Sequence, residues 1–189
     1  VLDGLIVPSG LEVTLRVSAA TGDLTALWDP QLGDVIGLPG HVGVGERATL
    51  HEVVAGHRFR VAAGSFFQSG PAAAELLVDA VGRAAPELDS ASRVLDAYAG
   101  VGLFAVAATA PNSEVVAVES AHCAVADCRA NLRGRASRVD RCEVGAWRPR
   151  AGERFDVAIA DPARTGLGKP GVGAMTATRA PLIVLVSCD

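Results

Sequence analysis

Residues 93–104, Arg-Val-Leu-Asp-Ala-Tyr-Ala-Gly-Val-Gly-Leu-Phe, carry the pattern that decides the fold. An apolar run ends in Asp96, and Gly100 and Gly102 follow before an alanine-rich run begins. This order predicts a buried strand, a tight loop and a helix over 103–110, with the loop backbone free to approach a ligand at the helix N-terminus. Gly-x-Gly loops occur in several nucleotide-binding folds. The glycines therefore predict a ligand-binding loop but do not indicate which ligand it binds.

Strand-like and helix-like runs alternate through the second part of the chain. A helix is predicted over 72–85 after Ser69-Gly70-Pro71, with a buried face of Leu76, Leu77, Ala80, Val81 and Ala84. Further strands are predicted over 114–119, 139–144, 155–161 and 182–187, and a further helix over 121–132. Apolar strands that alternate with helices are typical of a parallel sheet covered on both faces, with its ligand site at the carboxyl ends of the strands.

The first part of the chain has short runs and frequent turns instead. Strands are predicted over 11–17, 24–28, 47–54 and 57–62, the first two forming a hairpin around Thr21-Gly22-Asp23. We therefore expect a β-rich segment over 1–62 and an α/β domain over 63–189, both within a longer parent chain, because Val1 is not an initiator Met.

Composition excludes several classes of protein. Half of the residues are apolar, so a core can form, and no apolar run reaches the ~18 residues of a membrane span. A net charge of −4 excludes a strongly cationic nucleic-acid coat. The four cysteines form no Cys-x-x-Cys pair, so we expect neither a metal nor an iron–sulfur cluster, and reduced thiols in a cytoplasmic protein.

Acidic residues end three of the predicted strands. Asp96 precedes the glycine loop, where a carboxylate would repel a pyrophosphate but attract the ammonium and sulfonium groups of S-adenosylmethionine. Glu119 ends the next strand, where a carboxylate can accept ribose hydroxyls of either a nicotinamide cofactor or S-adenosylmethionine. Asp161 is followed by Pro162, which fixes the loop that holds the carboxylate. Cys188 lies just past the last strand, where a nucleophile or an inert apolar thiol is possible.

These motifs, in this order, resemble those of the RNA uracil-5 methyltransferases, which make 5-methyluridine in tRNA and ribosomal RNA. The matching segments are Phe66-Phe67-Gln68, Asp96 to Gly102, Glu119, Asp161 to Gly166, and Ser187-Cys188-Asp189. The resemblance covers the chain from about Phe59 onward. It implies a class I, Rossmann-like methyltransferase fold, S-adenosylmethionine as cofactor and RNA as partner.

The resemblance also implies roles for individual residues. Cys188 would be the nucleophile that adds to C6 of the uracil, so that C5 can take the methyl group. The predicted cofactor site consists of Gln68, Asp96, Tyr98, Gly100, Gly102, Glu119 and Asp161. Phe66 and Phe67 are candidates to stack on a flipped base, or are core aromatics.

The sequence differs from the family motifs at several positions, and these differences bear on cofactor binding and catalysis. Ala163 replaces a proline, and residues 144–147 lack the acidic or amide residue expected near the adenine. The family's catalytic glutamate would lie beyond Asp189, so we expect this chain to bind cofactor without turning over.

Three alternative readings stay open at this point. They are an amino-group methyltransferase in which Cys188 is dispensable, a non-catalytic binding fragment and, disfavoured by Asp96, a nicotinamide oxidoreductase. Eight arginines between Arg129 and Arg154 are interpreted as a solvated face, with phosphate contact as the alternative.

Overall fold

The computed structural model describes residues 4–68 and 70–187. Its strands are β1 (Thr14–Val17), β2 (Leu24–Leu27), β3 (Gly43–Val44), β4 (Thr49–Val54), β5 (His57–Ala62), β6 (Arg93–Ala97), β7 (Glu114–Glu119), β8 (Ser137–Arg141), β9 (Val157–Ala160) and β10 (Leu182–Leu185). Its helices are α1 (Pro71–Ala84), α2 (Leu103–Ala107), α3 (His122–Asn131) and α4 (Gly168–Ala177). Short 3-10 turns cover Pro86–Asp89 and Val144–Ala146.

A five-stranded, all-parallel sheet in the order β10-β9-β6-β7-β8 forms the centre of the fold. The chain runs outward from β6 through β7 to β8, then returns to β9 on the other side of β6. Its strand order therefore reverses between β6 and β9, and ligands of open α/β sheets bind at such a point. All four residues of β9 are buried, as expected of a sheet covered on both faces. The Rossmann-like architecture predicted from sequence is confirmed.

The β-rich segment consists of small sheets. β1 and β2 form an antiparallel hairpin that β3 extends, and β4 and β5 form a second hairpin. The predicted hairpin of the first two strands is thus confirmed, and the two further predicted strands over 47–54 and 57–62 are present and form a hairpin that was not predicted. The predicted division between residues 62 and 63 stays a prediction.

The predicted buried face of α1 is wrong in three of its five residues: Val81 is buried and Leu77 packs against the core, whereas Leu76, Ala80 and Ala84 are exposed. The buried residues of α1 are Ala74, Val78 and Val81, whereas Leu76 has 67% of its surface exposed. Ala74, Val78 and Val81 follow one another at four- and three-residue steps, but Leu76 lies about 200° around the helix from Ala74. This face of α1 packs against β4 and α2.

Helix α4 was not predicted, and α2 ends earlier than expected. Glycine and proline in the sequence of α4 disfavour a helix. Tertiary packing overrides that preference, because a Cβ on Gly171 would lie 2.9 Å from the Tyr98 hydroxyl. After α2, the side chain of Arg135 donates to the carbonyl oxygens of Ala105 and Val106, which would be the acceptors for residues 109 and 110 in a longer helix.

A buried carboxylate, which we call the Asp127 junction, joins α3 to the β4–β5 hairpin. The side chain of Asp127 has no exposed surface, pairs with Arg60, and accepts hydrogen bonds from the Ala62 N–H (2.7 Å) and the Ser65 hydroxyl (2.6 Å). Buried charges persist in folded proteins when they are paired and fully hydrogen-bonded, as here. The junction fixes Ser65, and hence the start of the Phe66–Gln68 segment, to the helix that follows β7.

Within residues 4–68 and 70–187, no helix combines the length and the apolar character needed to cross a bilayer.

Candidate active site

Three acidic residues lie at the carboxyl edge of neighbouring strands of the parallel sheet. Asp96 lies in β6, Glu119 ends β7, and Asp161 follows β9. β6 pairs with both of the other strands, so its carboxyl end lies between theirs. Burial raises the pKa of Asp96, and the charges of Asp161 and Glu119 raise it further, as expected of carboxyl groups at one edge of a sheet. The structure thus brings together the acids that the sequence predicted.

Asp96 is the most buried of the three. Its side chain is wholly inaccessible, its Oδ2 accepts a hydrogen bond from the Ala105 N–H (2.9 Å), and its Oδ1 has no partner among the described residues. Burial raises the pKa of Asp96 to about 7, and the charges of Asp161 and Glu119 add to the effect, against the Ala105 hydrogen bond. An unpartnered, buried carboxylate oxygen is costly unless a ligand completes it, and a cationic group would do so best.

Glu119 shapes the backbone around the glycine loop. Its Oε1 accepts from the N–H groups of Ser120 and Ala121 (both 2.7 Å), and its Oε2 accepts from the Gly100 N–H (2.9 Å). A carboxylate has about four acceptor positions, so roughly one remains free on Oε2. Accepting both hydroxyls of a ribose would therefore require one of these backbone bonds to be shared.

The loop between β6 and α2 has a backbone that few residues tolerate. Tyr98, Gly100 and Gly102 have φ values of 61°, 55° and 89°. A Cβ on Gly102 would lie 3.1 Å from the Sγ of Cys128, whereas the space beside Gly100 is open, which leaves room for a ligand to approach the backbone. A tyrosine in the left-handed region is a strained conformation of a kind that clusters at functional sites.

The Tyr98 side chain connects the loop to neighbouring elements. Its hydroxyl lies against Gly171 of α4, and its pKa is raised by burial and by the charge of Glu143. Glu143 thus brings a carboxylate close to the loop, one residue before the 144–147 segment that lacks one. The sequence analysis did not predict Glu143, because the resemblance pointed only to residues 144–147.

Asp161 is half-buried, and its backbone N–H donates to the carbonyl oxygen of Ala97 (3.3 Å). Burial raises the pKa of its carboxyl group. Its side-chain oxygens form no hydrogen bond with any described residue, so this carboxylate is available to a ligand at the point where the strand order reverses.

The remaining predicted site residues are not joined to this cluster. Gln68 lines a cavity of about 250 Å³ with Arg16, Glu52 and Phe67, and none of the three acids lines that cavity. Cys188 lies outside the described residues. Its last described neighbour, Ser187, is exposed and follows β10 by two residues.

The adjacent aromatic residues Phe66 and Phe67 have different environments. Phe66 is 73% exposed, whereas Phe67 packs against Phe59 with ring centroids 6.1 Å apart. Phe67 is therefore a core aromatic, and only Phe66 offers a free ring.

Much of the arginine-rich stretch is used inside the protein. Arg129, Arg135, Arg138 and Arg148 donate to backbone carbonyls or to carboxylates of the chain. Guanidinium groups with internal partners are poorly placed to bind a ligand.

Sequence reasoning also missed Asp127. Asp127 belongs to no motif. The one feature that could have indicated it is a charged residue on the buried side of α3, between Ala124 and Cys128. Among the described residues, no group of three His, Cys, Asp or Glu side chains could hold a metal ion.

Comparison with known proteins adds to this geometry. No protein-family model matches the chain. Over 150 residues it is 38% identical to a Streptomyces avermitilis protein named as an uncharacterized RNA methyltransferase, covering 76% of this chain and 34% of that protein. The chain is a relative of RNA methyltransferases. A second such protein, from Streptomyces coelicolor, is 37% identical over 138 residues, covering 69% of this chain and 30% of the relative. The chain thus spans about a third of the length of these curated relatives.

The structure also resembles a solved methyltransferase. The Pyrococcus abyssi tRNA (uracil-54, C5)-methyltransferase in complex with S-adenosyl-L-homocysteine superposes with a TM-score of 0.69 at 22% identity, over 93% of this chain and 49% of that one. At this identity the similarity establishes the fold alone. The predicted class I methyltransferase fold is confirmed.

Proposed function

We propose that this chain carries the cofactor-binding fold of an S-adenosylmethionine-dependent enzyme that methylates C5 of a uridine in tRNA or ribosomal RNA. The observation that carries the proposal is the unpartnered Oδ1 of Asp96, fully buried beside the glycine loop and the carboxylates of Glu119 and Asp161. Relatedness to RNA methyltransferases supports the class of reaction and substrate.

The residues present fit the cofactor. When bound, S-adenosylmethionine supplies an electrophilic methyl group on a sulfonium centre. Asp96 and Asp161 offer negative charge for its cationic amino-acid end, and Glu119 offers the remaining acceptor position on Oε2 to a ribose hydroxyl. The open backbone at Gly100 allows close approach, and Tyr98 closes the loop against α4. Gln68 completes the proposed set by resemblance.

Cys188 is the proposed nucleophile, and the chemistry explains why one is needed. C5 of uracil is too weak a nucleophile to take a methyl group unaided. Addition of the thiolate to C6 forms a carbon–sulfur bond and moves the C5–C6 π electrons onto C5, which can then accept the methyl group. A base must next remove the C5 proton, so that the electron pair re-forms the double bond and expels the thiolate.

The test is covalent trapping with RNA that contains 5-fluorouridine. Fluorine at C5 cannot leave as a cation, so the adduct between Cys188 and C6 accumulates after methyl transfer and no base is needed. We expect the chain to form a denaturant-stable adduct that depends on S-adenosylmethionine. Cys188→Ala should abolish the adduct, and Cys142→Ala, its matched control, should retain it.

Two results would contradict the proposal. An adduct formed equally by Cys188→Ala would assign the nucleophile elsewhere. Methyl transfer by Cys188→Ala onto an exocyclic amino group of RNA would instead identify an amino-group methyltransferase, in which this thiol is dispensable.

A further inference from the structure

A second concave surface, the basic groove, lies between the β4–β5 hairpin and the end of α3. It has a volume of about 430 Å³ and is lined by His51, Arg58, Arg60, Ala130, Asn131 and Arg133. We propose that the basic groove binds the phosphodiester backbone of the RNA substrate. This inference rests on the proposed function and adds to it the place where the substrate backbone is held.

The hairpin register places the positive charges on one face. Arg58 and Arg60 lie two residues apart on β5, so both point to the same side, and the buried Phe59 points to the other. His51 of β4 lies directly opposite Arg60, and its Nδ1 lies 3.3 Å from the Oδ2 of Asp23, so the positive charge of the groove comes from the arginines. Arg133 follows the end of α3 and completes the groove from the helix side.

Two of the three arginines are free to bind a ligand. Arg60 is neutralised by its ion pair with Asp127 at the junction. The side chains of Arg58 and Arg133 are exposed and, within the described part of the chain, form no hydrogen bond or ion pair. A chain with a net charge of −4 thus concentrates two uncompensated guanidinium groups in one groove. Guanidinium groups bind phosphate oxygens in a bidentate manner, which favours a phosphodiester as the ligand.

Hydrogen bonds connect the floor of the groove to the glycine loop. The Asn131 side chain accepts from the Arg60 N–H (2.8 Å) and donates to the carbonyl oxygens of Arg60 (3.0 Å) and Val101 (2.9 Å). Val101 lies between Gly100 and Gly102, so a single side chain joins the groove to the proposed cofactor loop. RNA held in the groove would therefore be positioned relative to that loop through the hydrogen bonds of Asn131.

The experiment measures RNA affinity as a function of salt for the variant Arg58→Glu/Arg133→Glu. Each lost phosphate contact lowers the slope of log K against log salt by about 0.7–0.9, so the double variant should lose about 1.4–1.8 from the slope and about tenfold or more in affinity. The loss should be similar for RNAs of different sequence, because phosphate contacts carry no sequence information. Arg58→Lys/Arg133→Lys should retain most of the affinity.

The matched control is Arg83→Glu/Arg154→Glu, which changes the net charge equally at exposed arginines that do not line the groove. It should leave the slope nearly unchanged. Equal losses in both double variants would overturn the proposal, because net charge alone would then explain them. The proposal would also be overturned if the unaltered chain showed no measurable RNA binding. It would be overturned as well if polyglutamate, a polyanion without phosphates, bound with the same dependence on Arg58 and Arg133.

Calorimetry with S-adenosylmethionine on the same proteins separates this inference from the proposed function. If the unaltered chain binds the cofactor and its RNA affinity is independent of Arg58 and Arg133, the proposal that RNA binds in the basic groove is wrong, and the proposed function is unaffected. If RNA binding depends on both arginines but the chain does not bind cofactor, the groove stands and the proposed function fails.

Discussion

The side chain of Glu119 accepts a hydrogen bond from the backbone N–H of Gly100, which lies 19 residues earlier in the chain (2.9 Å). The bond links the end of β7 to the loop that follows β6. The shape of the glycine loop therefore depends on an acid from the neighbouring strand as well as on its own glycines.

Replacing Glu119 with Ala should weaken S-adenosylmethionine binding. The change leaves the N–H groups of Gly100, Ser120 and Ala121 without their acceptor and removes the proposed contact with the cofactor. Loss of a charge-assisted bond costs ~1.5–3 kcal/mol, or roughly ten- to a hundredfold in affinity. Isothermal calorimetry measures this directly. Glu114→Ala, at the other end of β7, is the matched control and should bind normally. Unchanged affinity in Glu119→Ala would remove this residue from the site.

Asp96→Asn should change how stability depends on pH. Because burial raises the pKa of Asp96 from 3.8 to about 7, the folded chain keeps a proton that the unfolded chain has lost across that interval. The carboxyl group therefore contributes its full stability below the unfolded pKa, and that stability is lost as the pH rises through about 7.

Denaturation of both proteins between pH 5 and pH 8 tests this pH dependence. The Asn variant should gain stability relative to the parent as the pH rises, by at most about 1.4 kcal/mol per unit. Asp79→Asn, at an exposed position of α1, is the matched control. A constant difference for Asp96→Asn would mean that Asp96 is already ionised at pH 5.

Asp127→Ala should destabilise the fold without removing a ligand contact. It leaves the Ala62 N–H and the Ser65 hydroxyl without their acceptor, and Arg60 without its ion pair, at an expected cost of about 2–5 kcal/mol. Urea denaturation gives the free energy of unfolding, and Asp79→Ala is the exposed control. A loss below about 0.5 kcal/mol would show that the junction is not a stabilising contact.

Substitutions of the two adjacent phenylalanines should have different effects, one on RNA binding and the other on the stability of the fold. Phe66 is exposed, so Phe66→Ala should leave the unfolding free energy nearly unchanged but weaken RNA binding if the ring stacks on a base, which is worth ~1–3 kcal/mol. Phe67→Ala should instead destabilise the fold by about 1–3 kcal/mol, because Phe67 packs against Phe59. Normal RNA affinity in Phe66→Ala would exclude it as a stacking residue.

Most of the central sheet could be predicted from sequence because four of its strands are short, largely apolar and bounded by polar turns, whereas the polar edge strand β8 was predicted over 139–144 and spans Ser137–Arg141. The strand over 114–119 was predicted with its observed bounds, and parallel order then placed Asp96, Glu119 and Asp161 at one edge. These positions follow from the apolar runs in the sequence and from the rule that parallel strands have their carboxyl ends at the same edge of a sheet.

The parts that could not be predicted depend on contacts between distant residues. α4 contains glycines but buries Ala174 and Met175 in a cluster with Val144 and Trp147, and α1 packs against β4 with a face that does not include its exposed Leu76. The basic groove combines residues from β5 and from the end of α3, 75 positions apart in the case of Arg58 and Arg133, so no window of sequence contains it.

The Asp127 junction limits how this chain can be recombined with others. A chimaera joined at residues 62 and 63 would take Asp127 from one parent and its Arg60 and Ala62 donors from the other. Unless both parents supplied compatible partners, a charge would be buried without neutralisation in every such hybrid. The unit that can be exchanged as a module therefore begins before β4, so that the hairpin and α3 are always inherited together.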